Sequence, residues 1–256
     1  MRTDPMVSVP IANGVISGAV PGDVLQLRNI SVTGTMADRH AGDGKTVTVP
    51  GSSLQLRGPD ATNYTVANAA STVNIARATV SLYADYYGTS NDKVYDGTDT
   101  ATTTPYFYSN AFGYLFAGTS TVGPDSLTLS HDTPRYSDKN VAYTGSTVTT
   151  KTITVANAVL GGTDQANYIL DNTSATTSGR ITPRSLTVAG VSAVNRAYDG
   201  SVNVTVNVTG ATVDTSAVVP GDSVTVTVPG TGTVVGTMTN KNVGAAKQYA
   251  KDSNKR

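Results

Sequence analysis

Strict alternation of apolar and polar residues is the dominant pattern along the chain. Ser201-Val-Asn-Val-Thr-Val-Asn-Val-Thr209 places four valines on one face and Ser, Asn and Thr on the other. Ser223-Val-Thr-Val-Thr-Val-Pro229, Leu25-Gln-Leu27, Leu54-Gln-Leu56, Thr46-Val-Thr-Val49 and Leu127-Thr-Leu129 follow the same scheme. A period of two with one apolar face predicts strands half-buried in antiparallel sheets. Pro21-Gly-Asp23, Pro50-Gly51, Asp96-Gly97, Gly161-Gly162, Asp199-Gly200, Pro220-Gly-Asp222 and Pro229-Gly230 supply turn chemistry between them. No long stretch carries a 3.6-residue period. The prediction is an all-β chain of tandem antiparallel β-sandwich modules, Ig-like in size, with β-grasp-like modules as the alternative.

Composition strengthens this reading. All 18 acidic residues are Asp and none is Glu. Asp favours turns and caps because its short side chain bonds nearby backbone, whereas Glu suits exposed helix faces. Thr and Val are among the commonest residues, and β-branched side chains fit a pleated surface. With 38 % hydrophobic and 6 % aromatic residues in 256, several small cores are expected rather than one large one.

Charge and cysteine content narrow the function classes. Eighteen basic residues balance the acids, so no nucleic-acid partner is expected. No apolar stretch approaches the ~20 residues that span a bilayer as a helix, so no membrane insertion is expected either. The absence of Cys excludes a disulfide framework, thiol catalysis and Cys-ligated zinc. Met1 to Val20 has no basic start followed by a continuous apolar run, which places any secretion signal upstream.

Internal repeats set the organisation. Tyr95-Asp96-Gly97-Thr98 recurs as Tyr198-Asp199-Gly200-Ser201, each with a basic residue two places before the Tyr, Lys93 and Arg196. Gly58-Pro-Asp60-Ala-Thr-Asn63-Tyr64 recurs as Gly162-Thr-Asp164-Gln-Ala-Asn167-Tyr168. Asp38-Arg-His-Ala41, Asp138-Lys-Asn-Val141 and Asn240-Lys-Asn-Val243 form a threefold set, as do Pro21-Gly-Asp23, Gly123-Pro-Asp125 and Pro220-Gly-Asp222. Ile75-Ala-Arg-Ala-Thr-Val80 answers Ile181-Thr-Pro-Arg-Ser-Leu-Thr-Val188. The offsets agree, 198 − 95 = 103 and 167 − 63 = 104. The chain reads as a partial copy over 1–77, a complete copy over 78–183 and a truncated copy over 184–256.

In this order the motifs resemble the YDG-type repeat of large secreted bacterial proteins, often found with a filamentous-haemagglutinin-like secretion domain. The resemblance covers nearly the whole chain. Ala142 departs from it, standing where the pattern has Gly after the Val, and the last residues do not follow it. It implies an extracellular or cell-surface, adhesin-like protein in which the copies act as stalk or spacer and contact neighbouring repeats of the same chain.

Candidate chemistry is sparse. His40 and His131 have no repeated role and are expected in exposed loops, and no nucleophile elbow or metal-binding His pair is present. No catalytic, cofactor-binding or metal-ligating residue is assigned, no cofactor is expected, and the chain is read as non-enzymatic. Asp60 with Asn63, or Asp164 with Asn167, offer too few oxygens for calcium, which takes six to eight. Tyr95-Asp96-Gly97 reads as a tight hairpin turn with Gly97 and Gly200 at positive φ. Triplets such as Asn29-Ile-Ser and Asn172-Thr-Ser are chance products of an Asn- and Thr-rich chain.

A functional alternative rests on aromatics peculiar to the middle copy. Tyr83, Tyr86, Tyr87, Tyr106-Phe-Tyr108 and Phe112-Gly-Tyr-Leu-Phe116 form a candidate surface for a host or matrix glycan or protein. The third copy is expected to be the least stable part. Its tail from Ala246 loses alternation, and the valines of 202–208 and 224–228 are expected to lack cover.

Overall fold

The structure is a computed structural model describing residues 8–11, 14–28, 32–86, 90–110, 112–122, 125–244 and 249–250. It is all-β, made of short strands in several small sheets, with three-residue 3₁₀ turns between some of them. Two compact units form. The first comprises Met1–Thr89, Thr103–Pro134 and Thr154–Thr177, the second Ser90–Thr102, Arg135–Ile153 and Ser178–Arg256. Each therefore combines part of the middle copy with a neighbouring copy.

In the first unit, Ser8–Ile11, Val32–Met36, Gly42–Val49 and Ala69–Ile75 make an antiparallel sheet in that order. The alternation of Thr46 to Val49 turns Val47 and Val49 inward. A second sheet has the order Gly113–Phe116, Tyr106–Ser109, Ala78–Tyr83 and Tyr168–Leu170. A third aligns Gly118–Val122, Asp125–Ser130 and Val159–Gly161. Val80, Leu82 and Phe107 from the second sheet pack with Leu127 and Leu129 from the third, joined by Val155 and Tyr168. Phe107 and Leu127 are fully buried.

In the second unit Ala101, Tyr136, Ile153 and Ile181 form one small core. Ser192–Ala193, Asn203–Asn207, Thr233–Met238 and Tyr249–Ala250 form an antiparallel sheet. Val204, Val206 and Val208 lie beneath it with Val191, Val234 and Met238. Val234 and Met238 of Thr233–Met238 thus help bury Val204, Val206 and Val208, which were expected to lack cover, while Val202 stays exposed. The segment had escaped notice because Gly236 and adjacent Val234-Val235 interrupt its alternation.

The predicted strand Ser223–Pro229 does not form. In the middle copy the corresponding strand, Asp125–Ser130, is flanked by Gly118–Val122 and Val159–Gly161. No strand among the described residues flanks 223–229, so Val224 and Val228 remain exposed at 44 % and 36 %. Alternation creates a face for a sheet, but only a partner strand completes the backbone pairing. Two pairings also depart from the antiparallel expectation. Tyr168–Leu170 runs parallel to Ala78–Val80, and Ile181–Thr182 runs parallel to Lys93–Val94.

Truncating Phe107 to Ala should destabilise the chain by about 3–5 kcal/mol, through lost burial and a cavity. Val228→Ala should change stability by less than about 0.5 kcal/mol, as at an ordinary surface position. Urea unfolding of both variants checks the contrast.

Candidate functional site

The Tyr-Asp-Gly loop is a cage for a cation rather than a hairpin turn. Asp96 Oδ1 accepts the Thr98 backbone N–H at 2.9 Å, closing a turn in which Gly97 has φ +80°. The Lys93 ammonium donates into the same loop, to Asp96 Oδ1 at 2.8 Å, Thr98 O at 2.8 Å and Thr98 Oγ1 at 3.0 Å. It also lies 5.5 Å from the centre of the Tyr136 ring. In the third copy Arg196 takes the place of Lys93. Its guanidinium bonds Asp199 and reaches Ser201 O at 2.6 Å, and Gly200 has φ +77°. The sequence marked these turn positions correctly, but Lys93–Val94 pairs with Ile181–Thr182 instead of with the next strand.

The Asp-x-Asn loops repeat the device. Asp138 accepts the Asn140 N–H at 2.7 Å, and the Lys151 ammonium bonds the Asp138 carboxylate, Asp138 O at 3.0 Å and Asn140 O at 2.8 Å. All three ammonium protons are thereby used, which is what permits a lysine only 8 % exposed. In the first copy Lys45 bonds the Asp38 carboxylate and His40 O. Lys45 follows its Asp by seven residues and Lys151 by 13 (45 − 38 and 151 − 138). The difference of six is taken up by the hairpin Tyr143–Thr144 with Thr147–Val148. The spacing mismatch hid this partnership from sequence reading.

The other two motifs interlock. In the middle copy the Ser126 N–H donates to Asp164 Oδ2 at 2.9 Å, and the Tyr168 hydroxyl donates to Asp125 Oδ2 at 2.8 Å. In the first copy the Val24 N–H donates to Asp60 Oδ2, and the Tyr64 hydroxyl donates to Asp23. The leading glycine is required by crowding. A Cβ on Gly162 would stand 2.6 Å from Ser126 O, and one on Gly58 would stand 2.1 Å from Val24 O. Burial first, then the bond to Asp125, pushes the Tyr168 phenol up to about 12.

The same motifs join successive copies. Within the first unit Arg39 of the first copy forms an ion pair with Asp125 of the middle copy. The Ala41 N–H donates to Asn167 Oδ1 at 2.9 Å, and Asn167 Nδ2 lies 3.0 Å from His40 Nδ1. Within the second unit Lys139 of the middle copy stands 4.0 Å from Asp222 of the third, the position equivalent to Asp125. The Asp222 carboxylate also acts on Tyr95, raising its phenol above the ordinary value. The first and middle copies thus each present their Asp-Arg-x or Asp-Lys-x loop to the Pro-Asp or Gly-Asp carboxylate of the copy that follows.

The remaining candidates fall into place around this frame. His40 is exposed and bonded to Asn167, while His131 is half-buried with its ring 6.4 Å from Phe107. Among the described residues no group of three or more His and Asp side chains converges as a metal site would require. Asn172 uses its side chain to bond both Leu82 N and Leu82 O. The aromatics divide by strand parity except at Tyr106, which shares the outer face with Tyr83 yet is buried beneath its neighbours. Phe107 and Leu115 turn to the core, whereas Tyr83, Tyr86, Tyr114 and Phe116 are 36–49 % exposed. Tyr83 stacks on Tyr106 at 5.0 Å, and Tyr86 meets Tyr114 and Phe116 edge-on at 5.4 and 5.7 Å. Tyr87 lies outside the described residues.

The cages make two predictions. Lys151→Met leaves two carbonyls and a carboxylate without their donor and should cost about 1.5–3 kcal/mol. Lys139→Met, half exposed at a 4.0 Å contact, should cost under about 0.5 kcal/mol in the same denaturation assay. The second concerns acid. Burial pushes the Asp96 carboxyl up, but bonds from Lys93, the Thr98 N–H and the Thr98 hydroxyl outweigh it and bring the pKa to about 2. Asp138 and Asp38 are lowered by Lys151 and Lys45 together with backbone amides. A depressed carboxyl stabilises the fold above its ordinary value of 3.8, and that contribution is lost as pH falls toward about 2. The melting temperature should therefore drop through this window, and less steeply for Asp96→Asn; a flat profile would contradict the cages.

Comparison with curated proteins and with solved structures returns no match. The family model for the YDG domain matches in three segments, 4–72, 84–177 and 182–254. Together they span most of the 256 residues and include the Tyr-Asp-Gly, Asp-x-Asn, Gly-Asp or Pro-Asp and Gly-x-Asp-x-x-Asn-Tyr motifs. The chain belongs to the YDG-domain family.

Proposed function

We propose that this chain is a structural segment of a secreted or surface-attached bacterial protein, adhesin-like and related to filamentous-haemagglutinin-like proteins, in which YDG copies serve as stalk or spacer. One observation carries the reading: the repeated polar residues are consumed in holding loops and in joining one copy to the next, as in the Arg39–Asp125 ion pair. The reading gives the chain no catalytic role. The partners it implies are neighbouring repeats. The finer architecture we infer is a small sandwich per copy, supported by two sheets sharing the Phe107–Leu127 core.

A second reading is favoured by the aromatic face of the middle copy. Tyr83, Tyr86, Tyr114 and Phe116 present rings on the outer side of a sheet, where they suit stacking on a sugar or on a protein surface. Their mutual packing already gives them a structural role, so the spacer reading stands first.

Two arms of one experiment separate the readings. Antibody to residues 84–177 should label intact cells that make the protein, and the purified chain should be silent on a glycan array. Labelling that appears only after permeabilisation would overturn the surface assignment. Array binding lost in Phe116→Ala would move the function to the aromatic face.

A further inference from the structure

Among the described residues of the third copy, one strand edge and an adjoining cavity stand where the middle copy seats its Asn-Tyr element. In the middle copy, Tyr168–Leu170 lies parallel to Ala78–Val80, on the edge where Val80 O accepts the Asp171 N–H at 2.9 Å. Aligning the repeated Thr-Val pairs makes Leu186, Thr187 and Val188 the counterparts of Ala78, Thr79 and Val80. Thr187 O accepts the Asp214 N–H at 3.0 Å, so its edge is occupied. Backbone groups alternate along an extended chain, so Leu186 and Val188 face the opposite edge. No strand among the described residues pairs there.

A cavity of about 310 Å³ in the second unit opens beside this edge, lined by Tyr95, Asn140, Val141, Leu186, Val219 and Asp222 among others. Three of these have counterparts that bind the Asn-Tyr element in the middle copy. Ala41, the counterpart of Val141, gives its N–H to Asn167. Asp125, the counterpart of Asp222, accepts the Tyr168 hydroxyl. Ala78, the counterpart of Leu186, is the register partner of Tyr168. Within these 256 residues the Gly-x-Asp-x-x-Asn-Tyr element occurs twice, at 58–64 and 162–168. Asp222 lines the cavity together with Tyr95, and its carboxylate has oxygens to accept a further hydroxyl.

We propose that this cavity and edge form a docking site for an extended peptide of the repeat's own Gly-x-Asp-x-x-Asn-Tyr-x-Leu type, added as a parallel strand. The Asn carboxamide takes the Val141 N–H, the Tyr hydroxyl bonds Asp222, and the strand pairs with Leu186 and Val188. This inference goes beyond the spacer reading, since a surface spacer without such a site remains a spacer.

The test uses the full chain and a synthetic peptide with the sequence of residues 161–171, followed through backbone amide resonances. Saturable shifts centred on Val141, Leu186 and Val188 are expected, and peptides carrying Asn167→Ala or Tyr168→Phe should bind roughly tenfold more weakly, as loss of one hydrogen bond to a charged or buried partner implies. A scrambled peptide that shifts the same amides equally, or no saturable shift at those residues, would overturn the proposal. So would a dimer of the chain alone that occupies this edge and excludes the peptide.

Discussion

Asp125 is the point on which the middle copy turns, and its burial decides what must surround it. The residue is 6 % exposed, and a buried carboxylate is costly unless charge and hydrogen bonds answer it. The Tyr168 hydroxyl donates to one oxygen and the Arg39 guanidinium pairs with the other. The backbone amide that follows it is held by Asp164, and Gly162 lets the chain pass close enough to do so. One aspartate thus requires the Gly-x-Asp-x-x-Asn-Tyr element from its own copy and the Asp-Arg-x loop from the copy before. That dependency explains why these motifs travel together and why compact units straddle the sequence repeats.

The second organising device is the caged cation. With small cores such as Ala101, Tyr136, Ile153 and Ile181, apolar burial alone leaves the loops weakly anchored. An ammonium with three loop acceptors replaces core volume with directional bonds, and Asp is suited to it because its short side chain also takes an amide two residues on. Glu reaches further and closes no such turn, which suits Asp to positions 38, 96, 138, 199 and 214, where each accepts the amide two residues on. The Asp-Lys-Asn and Tyr-Asp-Gly loops are two uses of this one arrangement.

Much of this was legible in the sequence, and the gaps have identifiable causes. Alternation located Val47, Val49, Leu127, Leu129, Val204 and Val206 as inward positions. Asp-Gly and recurrence located Gly97 and Gly200 as positive-φ turns. Pairing direction was not legible, because side-chain period is the same in parallel and antiparallel strands, so the Tyr168–Ala78 register came as a correction. Strand existence failed at 223–229, where the pattern is perfect and the partner is missing from the described residues. The Lys151 cage was hidden by an inserted hairpin, and the Arg39–Asp125 pair by a separation that no local pattern encodes.

The central claim is that repeated motifs act by coupling one copy to the next. A double-mutant cycle on Arg39→Met and Asp125→Asn, read by urea unfolding of the full chain, measures that coupling directly. The account predicts an interaction energy of about 1 kcal/mol or more, as partly buried charged partners in one network give. Additivity within about 0.3 kcal/mol would contradict it, leaving the two residues to act independently.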